Sequence, residues 1–101
     1  MSELTPRTLQ ILGILFSGAS RQEILVRLEQ ECSAVALGCR NWTPPQMERL
    51  WFAVIKLAHE QPDLIPKTFA LAKTDWRDLL MAAGFGHELD AHEKWWDKNA
   101  T

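Results

Sequence analysis

Tyrosine is absent from the 101 residues, and cysteine is nearly so, with only Cys32 and Cys39. Two thiols make no disulfide framework, so a reducing, cytoplasmic setting is the simpler expectation. The chain opens Met-Ser-Glu, without a basic segment leading into an apolar run, and no secretory signal is expected. No stretch approaches the roughly 18 consecutive apolar residues of a membrane span. A basic excess is also missing. The formal net charge is −2, whereas proteins that grip phosphates usually carry the opposite sign. The balance is uneven: residues 1–73 hold eight Lys/Arg against seven Asp/Glu, and residues 74–101 hold three against six. Any nucleic-acid surface would therefore belong to the first part. Sustained apolar–polar alternation is lacking too, so no strands are expected.

What is present is dense helix punctuation in a chain of single-domain length. Thr5-Pro6 reads as an N-cap followed by proline at the first helical position, with Leu9, Leu12 and Phe16 at helical spacing and Gly18 as the stop. Ser20 with Glu23 forms a capping box for a second helix, whose face carries Ile24, Leu25, Leu28, Cys32 and Val35 up to Gly38. Thr43, Pro44 and Gln46 form another capping box, and Trp42 and Met47 are placed as a hydrophobic staple around it. Met47, Leu50, Trp51, Val54 and Ala58 make the clearest amphipathic stripe. Asp63 caps a short fourth helix, and Thr74 with Asp75 starts a fifth that Gly84 stops, with Phe85 folding back on Leu80. In the last helix Leu89, His92 and Trp96 share a face, and Asp90 pairs with Lys94. The expected fold is all-α, a compact bundle of about six helices at 6–17, 21–37, 44–61, 64–73, 75–83 and 88–98. It forms one domain over 1–101, with a helix-turn-helix-like half to residue 61 and an acidic, Trp-rich closing half from residue 62.

No constellation of residues carries recognisable catalytic chemistry. His87-Glu88 and His92 imitate a zinc-protease helix, but that motif needs histidines four apart on one face. Five apart, they diverge by about 140°. Cys32 lies on an apolar stripe and reads as a core cysteine, with no second ligand pair near it or Cys39. There is no G-x-S-x-G elbow and no P-loop, and Gly84-Phe85-Gly86 reads as a helix–helix turn. No enzyme activity, metal or cofactor is expected. Tryptophan is the surplus: Trp42, Trp51, Trp76, Trp95 and Trp96 are five of nine aromatics. Trp42 and Trp51 have structural roles as staple and stripe, and Trp76 lies in line with Phe69 and Ala72. Trp95 and Trp96 diverge by about 100° on a helix, so one of them should be partly exposed or packed against a tail or partner.

Leu4-Thr5-Pro6-Arg7, Ile11-Leu12, Leu15, Gly18, Ser20, Glu23-Ile24 and Leu28 together resemble the first two helices of a LuxR/GerE-type helix-turn-helix. That resemblance implies a DNA-binding regulator with a recognition helix entering the major groove. The recognition-helix part is not matched, because the second helix is expected to continue past Leu28 and the next begins only at Pro44. If the third helix were the reader, Gln46, Arg49 and Lys56 would be its contacts, with Glu48 and Glu60 on the same helix. Residues 74–96, with Asp75-Trp76-Arg77-Asp78-Leu79-Leu80, Ala82-Ala83-Gly84-Phe85, Ala91-His92 and Trp95, resemble a block in small bacterial proteins of no assigned function.

The expected function is that of a non-catalytic cytoplasmic helical module acting by protein–protein interaction. Its candidate partner-binding residues are Trp76, Arg77, His92, Trp95 and Trp96, because Trp and Arg are enriched at binding hot spots. The alternative is a DNA-binding transcriptional regulator using Gln46, Arg49 and Lys56. The partner is expected to be another protein, with nucleic acid not favoured, no membrane, and a homo-oligomer left open.

Overall fold

In the computed structural model, which describes residues 4–100, one helix is buried nearly all round and the others wrap it. The elements are α1 (Pro6–Leu15), α2 (Gly18–Glu31), α3 (Pro44–Glu60), a 3₁₀ turn (Pro62–Leu64), α4 (Ile65–Thr74), α5 (Trp76–Ala82) and α6 (Ala91–Asn99). The expected all-α bundle of six helices holds, and the described residues contain no strand.

Helix α3 is the axis. Its start is fixed by the expected capping box: the Gln46 backbone N–H donates to Thr43 Oγ1, and the Thr43 backbone N–H donates to Gln46 Oε1 at 2.8 Å. The stripe of Met47, Leu50, Trp51, Val54 and Ala58 is buried as expected, but so are Phe52, Ala53, Ile55 and Leu57. A helix apolar on one face sits at a surface, whereas one apolar all round sits in a core. Helices α1, α4, α5 and α6 all pack on α3, while α2 packs on α1 and α4. Side chains from before and after residue 61 join in one core cluster.

Several helix ends differ from expectation, each for a local reason. Helix α1 ends at Leu15 with Phe16 as C-cap, one turn before Gly18. The next helix already begins at Gly18 with Ser17 as N-cap, so Ser20 and Glu23 form no capping box. That helix stops at Glu31, well short of residue 37. Ser33 competes with the helix there. Its hydroxyl accepts from the Ala36 N–H at 3.1 Å, and its carbonyl accepts from the Leu37 N–H, closing a separate single turn. Val35 leaves the buried face and is exposed. The turn closes as the end of α5 does. In each, a glycine with positive φ (Gly38, 70°; Gly84, 82°) is followed by an N–H bonding five residues back, Cys39 to the Ala34 carbonyl and Phe85 to the Leu80 carbonyl, both at 2.8 Å. The carbonyl of Cys32, left over at the end of α2, accepts the Trp51 indole N–H at 2.8 Å.

Further along, Asp63 lies in the 3₁₀ turn and does not cap α4, whose N-cap Leu64 offers no side-chain hydrogen bond. Asp75 is itself the N-cap of α5, accepting from the N–H groups of Arg77 and Asp78. The last helix begins at Ala91, three residues later than expected, so Leu89 precedes it and is exposed rather than sharing its inner face. Lys94 reaches Asp90 at 3.9 Å and Glu88 at 3.0 Å.

Candidate functional site

The residues singled out from sequence separate into two places. The first is an internal corner where α1, α3 and α6 meet. Thr5, the N-cap of α1, donates from its hydroxyl to the buried Glu48 on α3. Arg7, the second residue of α1, spans the corner with its guanidinium. It donates to Glu48 at 2.8 Å and, with two nitrogens, to both oxygens of Glu93 on α6 at 2.8 Å each. The paired hydrogen bond with Glu93 raises the pKa of Arg7 above its ordinary value, and the same contact holds the Glu93 carboxyl below its own. The guanidinium also lies over the rings of Phe52 at 5.4 Å and Trp96 at 4.9 Å.

Trp95 and Trp96 both belong to this corner. Trp96 stacks on Phe52 at 5.8 Å with 9° between planes, and Trp95 tilts against Phe52 at 5.7 Å and Phe85 at 6.0 Å. The expected partial exposure is present in both tryptophans, each of which is half-buried. Phe52 and Phe85 together make an apolar wall: Phe52 meets both tryptophans and Phe85 meets Trp95. His92 is buried between the same two phenylalanines, so its imidazole is withdrawn from the surface. Burial lowers its pKa, leaving the neutral ring favoured, with Nδ1 unpartnered and Nε2 3.5 Å from Glu93.

The second place is an open groove between the start of α3 and α5. The capping box of α3 fixes Trp42 just ahead of the helix, and the Asp75 cap fixes Trp76 at the first position of α5. The two indoles meet edge to face with centroids 4.7 Å apart. Trp42 thus takes up Trp76 as its ring partner, and Trp76 is half-buried against the core cluster, which also contains Phe69 and Ala72, across the break between α4 and α5 at Asp75. With Gln46, Arg49 and Leu80 they line a recess of about 210 Å³. Arg49, Trp76 and Leu80 also line an adjoining recess of about 310 Å³, where Arg77, Met81 and Gly86 complete the wall. Gly86 packs closely on Met81 there. A Cβ at that position would stand 2.1 Å from Met81 Sδ and 3.2 Å from Met81 Cα.

The electrostatics of the groove are one-sided. Arg49 donates from Nη2 to the Phe85 carbonyl, which ties the 83–90 loop to α3, while its Nε is buried without a partner. Arg77 lies over the Trp76 ring at 5.2 Å. Neither arginine has a carboxylate within ion-pair distance among the described residues, and no Asp or Glu lines either recess. Arg7, Arg27, Lys56, Lys73 and Lys94 each have one.

The structure thus brings Trp76 and Arg77 together with Gln46 and Arg49, residues singled out for two different functions, and separates them from His92, Trp95 and Trp96. Lys56 stands apart, paired with Glu60 one turn along α3 at 3.0 Å. Sequence reasoning missed Met81 and Gly86, and it gave Trp42 only a structural role. The signal was the i,i+4 repeat of Trp76 with Leu80 and Arg77 with Met81, which puts the four on one side of α5. Elsewhere, burial pushes the Cys32 thiol up to about 12 and raises that of Cys39, which works against a role as nucleophile. No group of three or more His, Cys, Asp or Glu among the described residues could hold a metal ion. No helix is long and apolar enough to cross a membrane. No protein-family model, curated protein or solved structure matches the chain.

Proposed function

We propose that this chain is a non-catalytic helical module that works by binding another protein, and that the groove between the start of α3 and α5 is its docking site. One observation carries the reading: two guanidinium groups without carboxylate partners flank two tryptophans on an accessible concave surface. Trp and Arg are the side chains on which binding energy concentrates, and burying them in a partner releases more than their exposed contacts do. The groove presents no acid, base or nucleophile to a substrate. The two thiols, both free and buried, suit a reducing cytoplasm.

The helix-turn-helix resemblance of residues 4–28 supports a DNA-binding regulator in principle, with α3 as reader. Three features weigh toward the protein-binding reading instead. Ten of the seventeen residues of α3 are buried, Lys56 is neutralised by Glu60, and Arg49 holds the loop after α5. A reading helix needs an exposed face and a basic field around it.

The test is affinity capture from the native host with a photo-crosslinking residue at position 81, read by mass spectrometry with nucleic acid checked in parallel. A protein partner crosslinked through position 81, and lost with Trp76→Ala in a chain that still unfolds cooperatively, is the expected result. Salt-dependent DNA binding at low ionic strength, weakened by Lys56→Ala, would transfer the assignment to the regulator.

A further inference from the structure

We infer that the occupant of the groove is a short peptide segment of a partner protein in which one carboxylate side chain neighbours a bulky apolar one. The inference rests on the protein-binding reading above and names the chemistry of its partner.

Charge complementarity comes first. Acidic residues outnumber basic ones in this chain, 13 to 11. Five of its cations find carboxylates, and of the six with none within ion-pair distance among the described residues, Arg49 and Arg77 are the two that line one recess together, beside a tryptophan. They come from different helices, α3 and α5, so no local helix pairing places them side by side. Arg49 is half-buried, and its Nη2 is held on the Phe85 carbonyl, which fixes the guanidinium in the wall of the recess. Guanidinium forks match carboxylates, and the match strengthens where water is thinned. The requirement is for one carboxylate and not a polyanion. Asp75 already spends its side chain on the backbone N–H groups of α5, and Asp75 and Asp78 flank Arg77 along the chain, so a second negative charge brought near Arg77 is repelled.

The apolar half of the ligand follows from the other lining groups. Trp42, Trp76 and Leu80 supply a largely fixed floor. Met81 is 50% exposed at the rim and is unbranched, so it can fold onto ligands of differing shape. Recesses of about 210 and 310 Å³ are at or below the small end for enclosed ligand sites of about 300–1,000 Å³. They suit two neighbouring side chains of one segment better than a cofactor. Nucleic acid is disfavoured because two arginines without a surrounding basic field give a weak electrostatic footprint.

The test is selection of a random heptapeptide display library on the whole protein, followed by synthesis of the winning sequence. Selected peptides should carry Asp or Glu next to Leu, Phe, Met or Trp. Affinity for the winner should fall at least tenfold with Arg77→Glu, and equally when its acid is changed to the matching amide. Arg77 is exposed, and unchanged thermal unfolding of the variant shows that the loss is local. Selection of neutral or basic peptides that still lose binding with Trp76→Ala would overturn the carboxylate inference and leave the docking groove standing. Failure to select any peptide, or peptides indifferent to both variants, would overturn the inference while the capture experiment still judges the docking site. Two other results would replace the occupant: an oligothymidylate that binds and is lost with Arg77→Glu, or a concentration-dependent dimer that the same variant dissolves.

Discussion

Two regions of this small bundle are built from the same ingredients and finished differently. The corner around Arg7 combines one arginine with Phe52, Trp95 and Trp96, and the groove combines two arginines with Trp42 and Trp76. At the corner, two carboxylates from two other helices close on the guanidinium. In the groove none does. Tryptophan surplus alone therefore does not mark a binding surface. The informative feature is the state of the charge beside the aromatic rings, because a buried or half-buried charge is normally paired within its own chain. The closed corner is a structural joint, and the open groove retains the means to make such a joint with something else.

The largest effect that tests this contrast is on stability at the corner. Phe52 is fully buried and carries both closing tryptophans, so Phe52→Ala should cost about 3–5 kcal/mol, measured by urea unfolding. Arg7→Ala comes next. It leaves Glu48 buried with only the Thr5 hydroxyl for company and removes the link to α6, at a cost of about 1–3 kcal/mol. The Arg7 side chain is 34% exposed, which keeps the figure below that of a fully buried pair. If Arg7→Ala proves neutral, the corner is not a joint and the comparison with the groove collapses.

Much of the fold was legible in sequence, because caps are local. Thr5, Thr43 and the Gly84-Phe85 stop act within a few residues and were found where expected. The second helix was read too long because Ser33 opens a new turn inside an apolar-spaced run, and spacing alone does not see that competition. Helix α3 was read as one-faced, although Leu50 to Ile55 are six apolar residues in succession, a pattern of burial all round. The site was less legible. Arg7 and Glu93 lie 86 residues apart and Arg49 and Phe85 lie 36 apart, so which arginine is satisfied is decided by tertiary packing. Residue type flagged Arg49, Arg77 and Trp76, and only the structure showed that they share a wall.

A smaller effect follows acidification. His92 is held below the ordinary histidine value of 6.5 chiefly by burial, so its proton is bound more readily in the unfolded chain. Its contribution to stability is full above about pH 6.5 and declines as the pH falls below it. Glu93 and Glu31, held below 4.5 by hydrogen bonds to Arg7 and Arg27 respectively, add a further loss below that value. Urea midpoints should therefore fall in two stages between about pH 7.5 and pH 3. His92→Gln should flatten the upper stage and leave the lower one. A single stage confined below pH 4.5 would remove His92 from the corner's energetics.

The smallest stability change is expected at the groove, and its smallness is the sharpest test of the contrast. Arg77 stands over Trp76, a contact worth about 0.5–1 kcal/mol at an exposed site. It also occupies the second position of α5, where a positive charge opposes the helix dipole by about 0.3–1 kcal/mol. The two effects have opposite signs and similar size, so Arg77→Ala should move unfolding free energy by less than about 0.5 kcal/mol in either direction. The matched substitution at Arg7 removes the same side chain from a similar aromatic setting and should cost several times more. A loss above about 1 kcal/mol at Arg77 would mean that its guanidinium already has the partners that Arg7 has. The groove would then be a second internal joint, without a cation to spare for a ligand. A near-zero change leaves Arg77 with no structural reason to be charged, and its charge then has to be explained by something outside the chain.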